Sequence, residues 1–251
     1  MALRTTIGML VEDVSQPFSS ALHRAVVEQA GARGVQVLAG APDVLVELDG
    51  LIVAPLTTNR LYSAPTVFVD RFPAGAEADT VVSTNVAGAA GAVRHLISHG
   101  HRRIAYLGDR RTLTTARDRH RGYLRALGGR AGPQVHDLRD AAAAERATIA
   151  LLRRPGPPTA IFAGRSQITI GVVRALRRLG RQHTVALVGF DDFPLADLLD
   201  PAITVVAQDP ERMGRTAALA LFERIDGDKS APREIRIPTT LIPRGSGELA
   251  I

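Results

Sequence analysis

Short apolar, β-rich runs alternate with longer stretches whose apolar residues recur at helical spacing, and this alternation limits the chain to few folds. Residues 5–11 are a β-rich run. Residues 17–33 carry Leu22, Val26, Val27 and Ala30 at helical spacing and stop at Gly34, a usual helix-ending residue. The same reading places strands at 35–39, 51–54, 66–69, 104–107, 160–163, 185–190 and 203–207, with a further β-like stretch at 234–242. Helices are predicted at 86–98, 116–127, 141–154, 166–179 and 210–225. Nearly continuous apolar strands separated by helices predict an α/β fold with parallel sheets covered on both faces.

Ligands in such sheets bind beyond the carboxyl ends of the strands. The residues that follow the predicted strands include Glu12, Asp13, Asp70, Arg71, Arg165, Ser166, Asp191, Asp192 and Gln208. Any one of them is polar because a strand end is exposed. Together they suit a cleft for a polar ligand.

Several chemistries find no support. No G-x-G-x-x-G follows the first strand, and Lys229 follows Asp228 rather than a glycine, so neither dinucleotide nor Walker A motif is present. Gly164-Arg165-Ser166 resembles the start of a nucleophile elbow, but Ile168 stands where the closing glycine belongs, and no histidine follows Asp191. His95 and His99 stand four apart on a helix with His101 beyond. Without a third ligand they are better read as polar groups at a helix C-terminus than as a metal site. An enzyme is therefore not expected, and neither is a cofactor or metal. The chain has no cysteine, which excludes disulfides and thiol chemistry and suits a cytoplasmic protein. No apolar run is long enough to span a membrane, and no secretory signal precedes the first strand.

The net charge is +6, with a single lysine among 31 basic residues. A basic balance can signal a nucleic-acid partner. Here the arginines are spread over many helices, which reads as a coding preference for arginine.

Motifs in a fixed order resemble the LacI/GalR (lac repressor) family of transcription regulators over almost the whole chain. They are Thr6-Ile7-Gly8-Met9-Leu10-Val11 followed by Ser15-Gln16-Pro17-Phe18, Asp49-Gly50-Leu51-Ile52-Val53-Ala54-Pro55, and Val67-Phe68-Val69-Asp70-Arg71. The stretch 95–108 (HLISHGHRRIAYLG) comes next, then Ala116-Arg117-Asp118-Arg119 with Gly122-Tyr123, Pro158 to Ala163, Val188-Gly189-Phe190-Asp191-Asp192, and Pro201 to Gln208 with Met213-Gly214. The resemblance implies two Rossmann-like lobes joined by three crossovers, as in type I periplasmic binding proteins, with crossovers near Val82-Ser83, Gln208-Asp209 and Thr239-Thr240. The expected N-terminal lobe is 1–82 plus 209–239, and the C-terminal lobe 83–208 plus 240–251.

The implied function is the effector-sensing, dimerising core of a repressor, with a small sugar-like effector between the lobes. A solute-binding transport protein of the same fold is the alternative. Operator DNA is expected only through a helix-turn-helix head, which has no counterpart before Thr5, so a homodimer of this chain alone is not expected to read an operator. The implied effector contacts are Phe18, Asp70, Arg119, Asp191 and Gln208. Phe18 equally suits a core position, Gln208 equally suits a hinge-stabilising role, Arg117 is expected to support structure, and Asp192 is expected to cap a turn. Arg165 and Ser166 replace the family's usual Asn-Asp. Ser166 is expected to cap the next helix. Arg165 beside Arg119 points to an anionic effector such as a sugar phosphate or sugar acid, unless it pairs with Asp191 or faces solvent. The stretches 40–49 and 57–65 are shorter than in the family, which predicts a first lobe stripped of helical cover, with apolar surface exposed unless a partner or rearrangement covers it.

Overall fold

The computed structural model describes residues 5–11, 13, 15–40, 48–54, 62–73, 75, 77–130 and 132–251. The chain divides into two compact units, Met1–Ser83 with Asp209–Ile237, and Thr84–Gln208 with Pro238–Ile251.

Unit 1 contains β1 (Thr6–Val11), α1 (Pro17–Ala32), β2 (Gln36–Gly40), β3 (Gly50–Ala54), β4 (Thr66–Val69), β5 (Asp79–Ser83), α6 (Pro210–Ile225) and β11 (Glu234–Ile237). Its six strands pair in the order β11-β5-β4-β3-β1-β2, every pair parallel. Proline at the first helical position starts both α1 and α6, where its missing N–H costs nothing. Asp209 caps α6 by accepting from Arg212 N at 2.8 Å. Leu22, Val26, Met213, Ala217 and Leu221 from the two helices pack on Ile7, Met9, Ile52, Val67 and Val81.

On the other face of this sheet Leu10, Leu51, Val53 and Phe68 are buried, with Leu48, Tyr62, Phe72 and Ala78 packed against them. Most of the two shortened stretches, residues 41–47 and 55–61, lie outside the described residues, as does Glu12.

Unit 2 contains α2 (Asn85–Ser98), β6 (Ile104–Leu107), α3 (Thr114–Ala126), β7 (Gln134–Val135), α4 (Ala141–Leu152), β8 (Ala160–Ala163), α5 (Ser166–Arg178), β9 (Ala186–Phe190), β10 (Thr204–Ala207) and β12 (Thr240–Ile242). The strand order is β12-β10-β9-β8-β6-β7, parallel except for the β10/β12 pair. Leucine, isoleucine and valine of α4 and α5 cover one face, while α2 and α3 cover the other. Each helix pair meets through a glycine. A Cβ on Gly122 would lie 2.4 Å from the Val86 carbonyl oxygen, and one on Gly171 would lie 2.3 Å from that of Ala141.

The stretch 234–242, expected as one β segment, is two strands in two sheets. Pro238 has no N–H for a ladder, and the next amide, Thr239 N, donates to Thr84 Oγ1 at 3.0 Å. The third passage between units therefore falls at Ile237–Pro238, ahead of the expected Thr239-Thr240. The other two passages fall at Ser83–Thr84 and Gln208–Asp209.

Strand β5 escaped the sequence reading because it opens on a charge. Asp79 is buried, and four hydrogen bonds compensate it. Arg224 donates through Nε at 3.0 Å and Nη2 at 2.8 Å, and Arg233 through its amide at 2.8 Å and Nη2 at 3.0 Å. Burial pushes the carboxyl up, but these bonds from Arg224 and Arg233 outweigh it and hold the pKa at about 2. The clamp fastens α6 and the edge strand β11 to β5. Breaking a buried pair by removing one partner strands the other charge, so Asp79→Ala is expected to cost about 3 kcal/mol, measured by urea unfolding. A loss below about 1 kcal/mol would mean that the clamp is dispensable. Because the folded pKa is lowered, this contribution is complete above the unfolded value of 3.8 and fades as pH falls toward 2.

Candidate functional site

The parallel register of unit 2 sets the ends of its strands side by side. Leu107 pairs with Ala163, Ala163 with Gly189, and Phe190 with Val206. The residues that follow them, Asp109, Arg165, Asp191 and Gln208, therefore emerge along one edge of the sheet. Arg119 joins them from α3. It is 5% exposed, and three hydrogen bonds hold its Nε and Nη1. Nε donates to Asn85 Oδ1 at 2.8 Å, while Nη1 donates to the Gly164 carbonyl at 2.9 Å and to Asp191 Oδ2 at 3.2 Å. Its Cζ sits 3.9 Å from the centroid of the Phe190 ring, a cation–π contact.

Asp191 accepts on its other oxygen from Gln208 Nε2 at 2.7 Å. Its side chain keeps 24% exposure, so a carboxylate fixed from two sides still faces solvent. Its backbone is left-handed at φ 70, and its amide donates to the Val206 carbonyl at 2.9 Å. Aspartate tolerates this region better than most residues, and such strain gathers at binding sites.

Unit 1 repeats the device. Asp70 follows β4 with φ 66, and its amide donates to the Val81 carbonyl at 2.9 Å. The Asp70 carboxylate is buried and lies 3.5 Å from Arg71 Nε. Phe18, in the first turn of α1, is half-buried and packs against the unit 1 core.

Thus Arg119, Asp191 and Gln208 form one network, whereas Arg165 takes neither expected course. It does not pair with Asp191 and does not extend free charge beside Arg119. Its Nη1 donates to Asp109 Oδ2 at 2.7 Å and its Nη2 to the Arg139 carbonyl at 3.0 Å. Asp109 is buried. Asn85 and Asp109 were missed from the sequence, although Asp109 follows β6 and the strand-end rule points to it.

The residues expected in supporting roles fall as follows. Ser166 is the first residue of α5, the preceding Arg165 occupies the cap position, and no side chain caps that helix. Arg117 is exposed. Asp192 accepts from its neighbour Phe193 N at 2.9 Å, as a turn cap should, and also binds Arg244 at 2.7 and 2.6 Å, which ties the turn to the C-terminal segment. The Arg244 bonds lower its pKa despite burial.

The histidines are structural. His95 hydrogen-bonds Glu248, and buried His101 bonds Thr159 Oγ1 at 3.0 Å and the Leu249 carbonyl at 2.7 Å. Among the described residues, no cluster of three or more His, Asp or Glu could hold a metal. His136 lies 4.7 Å ring-to-ring from His120, the residue after Arg119. Burial, followed by Arg111 and His120, pushes His136 down to about 4 against the opposing pull of Asp137. A base held neutral in the fold takes its proton more readily when unfolded. Stability should therefore be unaffected above the ordinary value of 6.5 and decline as pH falls from there toward 4. Melting temperatures across that window are expected to fall, with a shallower fall in His136→Gln; identical slopes would dismiss His136 as the source.

A model of the periplasmic binding protein-like domain matches residues 93–247. The ribose operon repressor of Escherichia coli (strain K12) is 29% identical over 270 residues, covering 96% of this chain and 82% of that protein. The crystal structure of a putative ribose operon repressor from Burkholderia thailandensis matches with a TM-score of 0.82 and 28% identity, covering 94% of this chain and 98% of that one. The complex of the transcriptional regulator CelR with cellobiose matches with a TM-score of 0.86 and 25% identity, covering 98% of this chain and 86% of that one.

Proposed function

The chain belongs to the periplasmic binding protein-like family as the effector-binding core of a LacI/GalR transcription regulator, and from that premise we propose that it senses a neutral, hydroxyl-rich small molecule without transforming it. The carrying observation is the Asp191 carboxylate, partly exposed and held by Arg119 and Gln208. A sugar hydroxyl both donates and accepts, so it suits a carboxylate beside a guanidinium whose positions are already set. Preset groups spare the ligand the ordering cost of binding.

The charge balance supports neutrality. Arg119 faces Asp191, and Arg165 faces Asp109, so both arginines expected to recruit an effector already meet a carboxylate. An anionic effector would have to displace one of them. In this reading Arg119, Asp191 and Gln208 are the unit 2 contacts, Phe18 and Asp70 are contacts from unit 1, and Arg165 is a positioning residue held by Asp109. The names of two relatives lend support, since one is a ribose operon repressor and the other was solved with cellobiose. We further infer a cytoplasmic homodimer that acts on operator DNA through a separate DNA-binding head and has no catalytic role.

A thermal-shift series tests this, because a ligand that binds the native state raises the melting temperature. Neutral pentoses, hexoses and disaccharides are expected to include a stabilising ligand, while the corresponding acids and phosphates give no shift. Asp191→Ala is expected to weaken that ligand about tenfold or more, as loss of a charged hydrogen bond does. Stabilisation by phosphates alone would overturn neutrality, and no shift from any sugar would overturn the sensor reading. Asp109→Asn releases Arg165 and is expected to add measurable affinity for a sugar acid; an unchanged preference would show that the Arg165–Asp109 pair does not set ligand charge.

A further inference from the structure

The charge of this protein is divided unevenly. Unit 2 carries 20 arginines against 10 carboxylates, and unit 1 carries 11 basic residues against 15 carboxylates, so the net +6 is the sum of +10 and −4. A coding preference for arginine explains why lysine is rare. It does not explain where the surplus cations of unit 2 stand. Helices α2 and α3 together cover one face of its sheet. On α2 the exposed positions are Ala87, Arg94 and Ser98, and on α3 every exposed position is an arginine: Arg117, Arg121 and Arg125. The one carboxylate on these two helices, Asp118, lies 3.1 Å from Arg121.

This row works against its own helix. Arg117 sits in the first turn of α3, where the helix end is partly positive and an acidic residue would stabilise it; that turn holds none. Arg117, Arg121 and Arg125 succeed one another at i, i+4 spacing, and like charges so spaced repel. Only Arg125, in the last turn, gains from the helix dipole. Among the described residues, no ion pair engages Arg94, Arg117 or Arg125. An anion lying along the row would relieve all of these repulsions at once.

We propose that the α2–α3 face of unit 2 binds the phosphate backbone of duplex DNA without reading its sequence. Four residues of helix rise about 6 Å, so Arg117 to Arg125 form a row about 12 Å long, with Arg94 on the adjoining helix. Phosphates of one strand rise about 3.4 Å each along the duplex. The row therefore spans about three or four of them and exceeds what one small anion can engage. Phosphate binding draws its affinity from neutralised charge and released counterions and needs no apolar anchor. A protein partner would want a buried aromatic or aliphatic centre, and beside the arginines the exposed positions here offer only Ala87 and Ser98. The face also stays open in a homodimer. Exposed Leu195 and Leu198 lie in the turn after β9, whose Phe193, Ala196 and Leu199 pack with the α4–α5 side of the core. Exposed apolar side chains mark a surface for a second copy, which places that copy across the sheet from α2 and α3. This inference is independent of the sensor reading and concerns a different surface.

Fluorescence anisotropy of the whole chain with a labelled duplex of arbitrary sequence tests it, beside fluorescent poly-glutamate. The duplex is expected to bind in the micromolar range or weaker, with affinity falling steeply between about 50 and 200 mM salt. Combined Arg94→Gln, Arg117→Gln, Arg121→Gln and Arg125→Gln is expected to flatten the log–log salt dependence by about one unit per arginine. Combined Arg212→Gln, Arg215→Gln, Lys229→Gln and Arg236→Gln removes the same charge from exposed positions of unit 1 and should leave that dependence unchanged. Single Arg117→Gln and Arg125→Gln, each expected to flatten it by about one unit, carry the test should the combined variant melt early. No duplex binding at low salt, equal loss from both sets of substitutions, or binding of poly-glutamate in preference to DNA would each overturn the proposal.

Discussion

A guanidinium with 5% exposure cannot be left without acceptors, and the arrangement of unit 2 follows from satisfying Arg119. Its acceptors come from the start of α2, the end of β8 and the turn after β9, and the Phe190 ring lies beneath it. The three acceptors, Asn85, Gly164 and Asp191, are far apart in the chain. The parallel register brings them together, and the close helix contact at Gly122 lets α3 settle low enough against α2 for Arg119 to reach them. A carboxylate enlisted to neutralise this cation is thereby fixed at the sheet edge with part of its surface free. The demand for charge compensation and the creation of a ligand-ready acceptor are one event.

The same accounting separates the two arginines at that edge. Arg165 stands where an arginine beside Arg119 would be expected to recruit an anion, yet Asp109 reaches it first. Local charge is thus balanced pair by pair, and recognition passes to hydrogen-bond geometry. Buried unit 1 aspartates follow the same physics with different results. Asp79 is consumed by two arginines and becomes a clamp, whereas Asp70 takes the strand-end, left-handed position that Asp191 occupies in unit 2. Whether a buried carboxylate becomes structure or site depends on how many donors surround it.

The α/β class, most element positions and the family were legible from the sequence because apolar periodicity and ordered motifs are local properties. That Arg119 and Asp191 stand at one edge of the unit 2 sheet was legible for a related reason, since each sits in a motif at a strand end or on a helix that faces one. The partners were not. That Arg165 would find Asp109, that β5 would open on a buried charge, and that 234–242 would divide between two sheets all depend on contacts between residues distant in sequence. Asp79 looks like a solvated loop residue until Arg224 and Arg233 are placed beside it, some 145 and 154 residues later. The sequence by itself determined which segments become strands and helices, through side-chain periodicity and the stereochemistry of proline and glycine. Only the tertiary structure decided which charges meet, because in a low-dielectric interior that choice is made by the nearest available counter-charge, and proximity there is a property of the fold.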